Sequence, residues 1–256
     1  MDQVEQYSAL VDAFLDIGEA MLATGAEINR TEDTLMRLGR AYGAKETNVF
    51  VITSFILVTM KFELEEGEKN ITHSRRIFNI GTDFTKLDAL NQLSRECAKS
   101  PMSIEELKRR TAEIKSGKSS SFMRYAGSAL AAGGFAVFFG GTATDALAAG
   151  VFGLLLCFLQ ASLQKKCPNK MLYYFICSLI SGLGIYLVSR LISGLNADII
   201  IIGDLMLLVP GKAITTAARD ILLGDNISGI MKLIESLFWT GALAGGFMLA
   251  IRVIGG

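Results

Sequence analysis

Charge is divided along this 256-residue chain far more unevenly than its zero net charge suggests: residues 1–124 hold 17 Lys/Arg and 19 Asp/Glu, whereas residues 125–256 hold 8 and 6. The average composition, 51% hydrophobic, would suit an apolar globular enzyme. The partition does not, because one water-soluble core does not account for a second half so poor in charge. A soluble first half followed by a membrane-embedded second half does. The change falls in the polar, basic stretch KSGKSSSFMR at residues 115–124. The fold expected is an α+β cytoplasmic domain, residues 1–120, followed by an α-helical membrane bundle of about five transmembrane helices, residues 121–256.

Five segments approach the roughly 20 apolar residues that a spanning helix needs. They lie at about 122–140, 143–163, 171–191, 197–210 and 229–253. The fourth is short before its proline, so it is either a half-helix or a span continued through 213–223 after a kink. Basic residues then orient the set. Lys115, Lys118 and Arg124 precede the first span, Lys165, Lys166 and Lys170 separate the second and third, and Lys212, Arg219 and Lys232 lie between the fourth and fifth. The alternate loops, GGTAT and ISGLNAD, carry none, although Arg190 stands just before the latter. By the positive-inside rule the amino terminus is cytoplasmic and the carboxyl terminus outside. The opening MDQVEQYSALVDAF is acidic and has no continuous apolar stretch, so no signal peptide is expected.

In the first half, Tyr7, Leu10, Val11, Phe14, Leu15, Ile17 and Met21 fall at helical spacing up to Thr24-Gly25, and a second helix runs from about 27 to 42 with Gly43 as its stop. NVFVITSFILVTMKFELE has the length of a membrane span. Its β-branched and aromatic content, and its alternation after Leu57, favour two strands near 48–53 and 55–63. EEGEKN turns into a third strand near 71–77, and helices at 84–99 and 103–114 follow, the last opened by Ser103 with Glu106 in capping-box register.

Cys97, Cys157, Cys167 and Cys177 show no metal-ligand spacing, and His73 has no neighbouring cysteine, so neither a metal nor an organic cofactor is expected. No basic patch with interleaved aromatics points to nucleic acid. Glu27, Arg30 and Glu32, and the run His73-Ser74-Arg75-Arg76, contain hydrolase chemistry without the geometry that defines a triad, and a solvated, ion-paired face accounts for the same residues. No catalytic residue is assigned. The paired small residues Gly127/Ala131, Gly133/Gly134, Gly150/Gly153, Gly182/Gly184 and Gly241/Gly245 permit close helix contact.

The run DIIIIGDLMLLVPG, residues 198–211, continues into KAITTAARDILLGDNISG. A carboxylate and a helix break inside an apolar run are tolerated where protein or water satisfies the freed polar groups, which marks a permeation path. Leu208-Val209-Pro210-Gly211, Ala218-Arg219-Asp220, Gly224-Asp225 and Gly229, with Gly25-Ala26-Glu27, Arg30 and Glu32 in the first half, resemble the threonine/serine exporter (ThrE-like) family over nearly the whole length. The resemblance implies a secondary exporter in a bacterial plasma membrane. It further suggests the shorter, two-component type, in which a second small membrane subunit completes the bundle and the substrates include succinate as well as threonine and serine. It also associates the amino-terminal domain with hydrolases.

A helix restarting after Pro210-Gly211 presents unpaired N–H groups and a dipole that favour an anion. The substrate-binding candidates are therefore Pro210, Gly211, Thr215, Thr216, Arg219 and Asp220, receiving a carboxylate of a small metabolite. The alternative is a helix end at the cytoplasmic surface, with Arg219 and Asp220 paired as a clamp. Asp204 is the candidate for ion coupling; hydrogen bonding to Ser or Thr of another helix is its structural alternative. Glu235 is expected to pair with Lys232 at the membrane interface. A homo-oligomer stays open, as do a non-transporting scaffold and a membrane-tethered hydrolase.

Overall fold

The computed structural model describes residues 3–65, 67–78, 81–117, 120–163, 166–167 and 169–255. Glu66 of the expected hairpin turn, and Lys118 and Lys165 of the charge pattern, lie outside the described residues. Two compact units are present, residues 1–119 and 120–256.

The first unit begins with α1 (Gln3–Ala23) and α2 (Ile28–Ala41), followed by β1 (Glu46–Ile52), β2 (Phe55–Leu64), β3 (Gly67–Arg76), α3 (Phe84–Lys99) and α4 (Ile104–Ser116). The strands form an antiparallel meander in the order β1-β2-β3. Alternation decides its faces: Ile56, Val58, Met60 and Phe62 point into a core shared with Phe14, Leu15, Ile17 and Met21 of α1 and Leu35 and Leu38 of α2. The apolar run therefore folds as two strands, paired Val51↔Ile56 and Glu46↔Lys61. β3 starts four residues earlier than its apolar pattern suggests. Glu68, Lys69 and Asn70 pair with Glu63, Phe62 and Lys61, and Glu68 bonds Lys61 at 2.6 Å and Lys45 at 3.1 Å. Those two ammonium groups hold the Glu68 carboxyl below the usual carboxylate range. Ser103 caps α4, accepting the Glu106 N–H at 3.3 Å.

The second unit consists of α5 (Ser121–Phe138), α6 (Ala143–Leu163), α7 (Lys170–Leu191), α8 (Ala197–Leu208), α9 (Gly211–Leu222) and α10 (Asn226–Ala250), the last extended by a π turn at Ile251–Gly255. Among the described residues, three helices are long and apolar enough to cross a membrane: α6, α7 and α10 with its extension to Ile254. α8 and α9, bent by 47° at their break, make a fourth if they count as one span. α5 fills the first expected span but does not meet the same measure of length and apolarity. The unit's surface is apolar, with Leu130, Leu147, Phe158, Leu187 and Met248 exposed, while Asp145, Ser178, Ser181 and Asp204 are buried.

Close approaches of glycine to backbone sort these helices into two groups, which Gly184 of α7 also joins by its approach to the Phe152 ring of α6. A Cβ on Gly203 of α8 would stand 2.6 Å from the Ala132 carbonyl of α5, and one on Gly153 of α6 would stand 2.8 Å from the Ser128 carbonyl of α5. These approaches bind α5, α6 and α8 backbone to backbone. On the other side Gly246 of α10 lies against Phe175 and Ser178 of α7, and Gly229 of α10 lies 2.8 Å from the Ala217 carbonyl of α9 by the same measure. Gly246 rather than Gly241 or Gly245 makes the closest α10 contact, and Gly127, Gly134 and Gly241 meet nothing within 4 Å.

Candidate functional site

The break in the apolar run follows from Pro210, which has no N–H to continue α8 and whose ring disfavours helical geometry in the preceding residue. Val209 still closes α8 on the Leu205 carbonyl at 3.0 Å, Gly211 turns its N–H onto Val209 at 2.8 Å, and α9 restarts with Ile214 bonded to Pro210 at 3.1 Å. No side chain caps this start.

Thr215 donates to the carbonyls of Gly211 and Lys212, at 3.1 and 3.0 Å, and Thr216 donates to those of Lys212 and Ala213, at 2.9 and 3.1 Å. Both hydroxyls keep acceptor capacity beside the first turn of α9. Spacing puts Lys212, Thr216 and Arg219 on one stripe, while Ala217 and Asp220 are buried. Arg219 lies about 12 Å along the axis from Gly211, at 1.5 Å per residue. The structure thus gathers Gly211, Thr215 and Thr216 at one helix start, with Arg219 two turns away on the same side. Asp220 turns elsewhere: only 3% of its side chain is exposed, and its Oδ2 lies 2.7 Å from Lys232 Nζ of α10. Lys232, which the sequence pairs with Glu235, holds Asp220 instead.

Asp204 sits two turns before the break. It has no exposed surface, and its Oδ2 accepts the Ser181 hydroxyl of α7 at 2.9 Å. Its other oxygen, Oδ1, is sealed from solvent and has no hydrogen-bond partner among the described residues. This is the group expected as an ion carrier, and its partner is a serine of another helix, as the structural alternative required.

At the other end of α8 stands a residue that sequence reasoning missed. Asp145, 2% exposed, accepts the Thr142 N–H and hydroxyl at 2.9 and 2.7 Å and the Asn196 N–H at 2.7 Å. Asp145 returns its own N–H to the Thr142 hydroxyl at 3.3 Å, making a reciprocal cap legible in Thr142-x-x-Asp145. Asn196 caps α8 in turn, and Asp198 accepts the Tyr186 hydroxyl of α7 at 2.8 Å.

In the first unit Glu32 accepts the Val51 N–H at 2.9 Å and so satisfies an edge-strand donor. His73 stands between two residues of α1 that sequence reasoning did not single out: its Nδ1 lies 2.8 Å from Asp12 Oδ1 and its Nε2 3.0 Å from Ser8 Oγ. Arg75 extends the network to Asp16 at 2.7 Å and Glu19 at 3.4 Å. The described residues hold no group of three or more His, Cys, Asp or Glu arranged to bind a metal ion.

A multi-helix unit with an apolar exterior, buried carboxylates and a broken helix has the make-up of a membrane protein. The chain belongs to the ThrE family, described as "Putative threonine/serine exporter", whose model matches residues 12–254. No curated protein and no solved structure matches it.

Proposed function

We propose that this chain is a subunit of a bacterial plasma-membrane secondary exporter for small carboxylate-bearing metabolites, threonine and serine or a dicarboxylate such as succinate, driven by proton entry. In this reading residues 1–120 form a cytoplasmic domain. Residues 121–256 form the membrane domain, with α5 as first span, the bent α8–α9 pair as fourth, and the carboxyl terminus outside. A second small membrane subunit completes the path.

The observation that carries the reading is the single run in which a fully buried carboxylate with one unpartnered oxygen, Asp204, is followed by a helix restart at Gly211. Protons are carried at Asp204. A substrate carboxylate is received at the start of α9, beside Gly211, once Thr215 and Thr216 turn their hydroxyls from the Gly211, Lys212 and Ala213 carbonyls to donate to it, with Arg219 on the same face. The separation of Arg219 from Gly211 suits an elongated substrate, whose second polar group Arg219 meets. Pro210 sets the break, and Asp220 fixes α9 on α10 through Lys232.

Reconstitution in liposomes, with and without the partner, tests it by efflux of threonine, serine and succinate under an imposed proton gradient. Export of at least one substrate is expected, lost in Arg219→Ala at unchanged insertion. Failure with every substrate leaves a non-transporting scaffold.

One observation favours a second reading, a hydrolase in the first unit: hydroxyl, imidazole and carboxylate follow one another through Ser8, His73 and Asp12. Ser8 lies inside α1, however, where neighbouring N–H groups are spent on the helix, so an oxyanion would have to find its donors elsewhere. Labelling of Ser8 by a fluorophosphonate, abolished in His73→Ala, would establish it.

A further inference from the structure

The two helix groups meet along a seam where Gly184 of α7 approaches the Phe152 ring of α6, a side chain rather than a backbone, and where α7 and α8 share two polar bonds, Tyr186 to Asp198 and Ser181 to Asp204. Ser181 occupies a pivotal place on α7. Its neighbour Gly182 packs on Phe247 and Ala250 of α10, while its own hydroxyl reaches across to α8. A single step along α7 thus joins the α7–α10 contact to the carboxylate of the opposite group.

We propose that Ser181 is a positioning residue that couples the charge of Asp204 to this seam; the proposal rests on the reading of Asp204 as the proton carrier. Ser181 and Asp204 both have no exposed surface. The Ser181 hydroxyl takes Oδ2 and leaves Oδ1 as the oxygen to which a proton adds. A hydroxyl donating to a carboxylate makes a charge-assisted bond roughly twice as strong as one donating to a neutral carboxyl group. When Oδ1 gains a proton, the Ser181 bond therefore weakens and the two groups part. When the proton leaves, the bond re-forms and draws α7 and α8 together. Proton uptake and release are thereby converted into separation and closure of helices whose glycine-packed partners move with them.

Among the described residues Ser181 is the one hydrogen-bond partner of Asp204. On the helices packed against α8, Asp145 of α6 is held by Thr142 and Asn196, Tyr186 of α7 is bonded to Asp198, and Arg124 and Tyr125 stand in the first turn of α5. Cys157 of α6 and Cys177 of α7 are buried thiols, and Lys170 and Arg190 of α7 stand in its first and last turns.

The test uses the full chain in proteoliposomes and compares wild type, Ser181→Ala, Ser181→Thr and Asp204→Asn. Two readouts are followed: the pH profile of substrate efflux, and maleimide labelling of Cys177, which lies one turn from Ser181, with the other cysteines replaced. Wild type should show Cys177 labelling whose pH dependence exceeds the thiol's own titration, taken from Asp204→Asn. Ser181→Ala should label at least tenfold faster with only that thiol titration left, and its efflux profile should move by about one pH unit or more, the scale of one charge-assisted bond. Ser181→Thr, which keeps the hydroxyl, should restore both. Wild-type labelling and profile in Ser181→Ala, or loss of both in Ser181→Thr as well, would overturn the role of Ser181 while leaving Asp204 in place. An Asp204→Asn protein that keeps full proton coupling would overturn the underlying reading instead.

Discussion

The Asp145 carboxylate accepts the backbone N–H of Asn196 at 2.7 Å while its other oxygen closes the cap of α6 on Thr142. One buried side chain thus fixes the starts of two helices, and α8, which carries Asp204, is anchored at its first turn before it breaks at Pro210. Asp145→Ala would leave the Asn196 and Thr142 donors without their acceptor. A loss of about 2–4 kcal/mol is expected, from hydrogen bonds to a charged group and a lost helix cap. Unfolding in detergent, followed by thermal melting, measures it. Asp145→Asn keeps one acceptor oxygen, so it should recover part of the loss.

Gly203 immediately precedes Asp204 and faces the Ala132 carbonyl of α5 so closely that a Cβ would stand 2.6 Å away. A backbone carbonyl inside a helix has little freedom to yield. Gly203→Ala should therefore force α8 off α5, costing about 1–3 kcal/mol as overpacking does, and reduce export with it. Gly127, on α5, meets nothing within 4 Å. Gly127→Ala should be neutral or stabilising by up to about 1 kcal/mol through helix propensity. Equal melting temperatures for the two variants would contradict the close α5–α8 approach.

Cys97 is buried in the first unit, and that burial pushes its thiol above the usual range. The thiolate is the reactive form, so raising the pKa lowers its fraction at a given pH and moves the rise of reactivity toward alkali. Cys167, partly exposed, should react with a maleimide first at pH 7 to 8. Cys97 should react slowly, gain rate as pH rises, and become fast once denaturant opens the unit. Mass spectrometry of labelled peptides over a pH series reads both.

Patterns that depend on one segment were legible in the sequence. The β1–β2 hairpin follows from alternation, and the α8–α9 break from the chemistry of Pro210. The first four residues of β3 were hidden because a polar run reads as a turn; Glu68 joins the sheet through Lys61 across the hairpin and Lys45 beyond it, partners that no pattern within the run reveals. The pairing of Ser181 with Asp204 depends on the register of two helices, which no periodicity within either one determines. Neighbours on a helix point about 100° apart at 3.6 residues per turn, so Arg219 and Asp220 face different surroundings despite their adjacency.

The Asp220–Lys232 pair shows what that difference in facing means energetically. The Asp220 side chain is 3% exposed and that of Lys232 20%, with oxygen and nitrogen 2.7 Å apart across the α9–α10 turn. Removing either partner leaves a mostly buried charge without its counterion, which costs more than the pair itself contributes. Asp220→Ala and Lys232→Ala should each destabilise the α9–α10 contact by about 2–4 kcal/mol, below the fully buried case because Lys232 retains some water. The double variant should be less unstable than the sum of the two, by about 1 kcal/mol or more, since neither orphaned charge remains. Strict additivity in the three melting curves would mean that the two side chains do not interact. In the proposed exporter each single variant also removes the tie of α9 to α10, and should lower substrate affinity at Gly211 and Thr215 by releasing the helix that presents them.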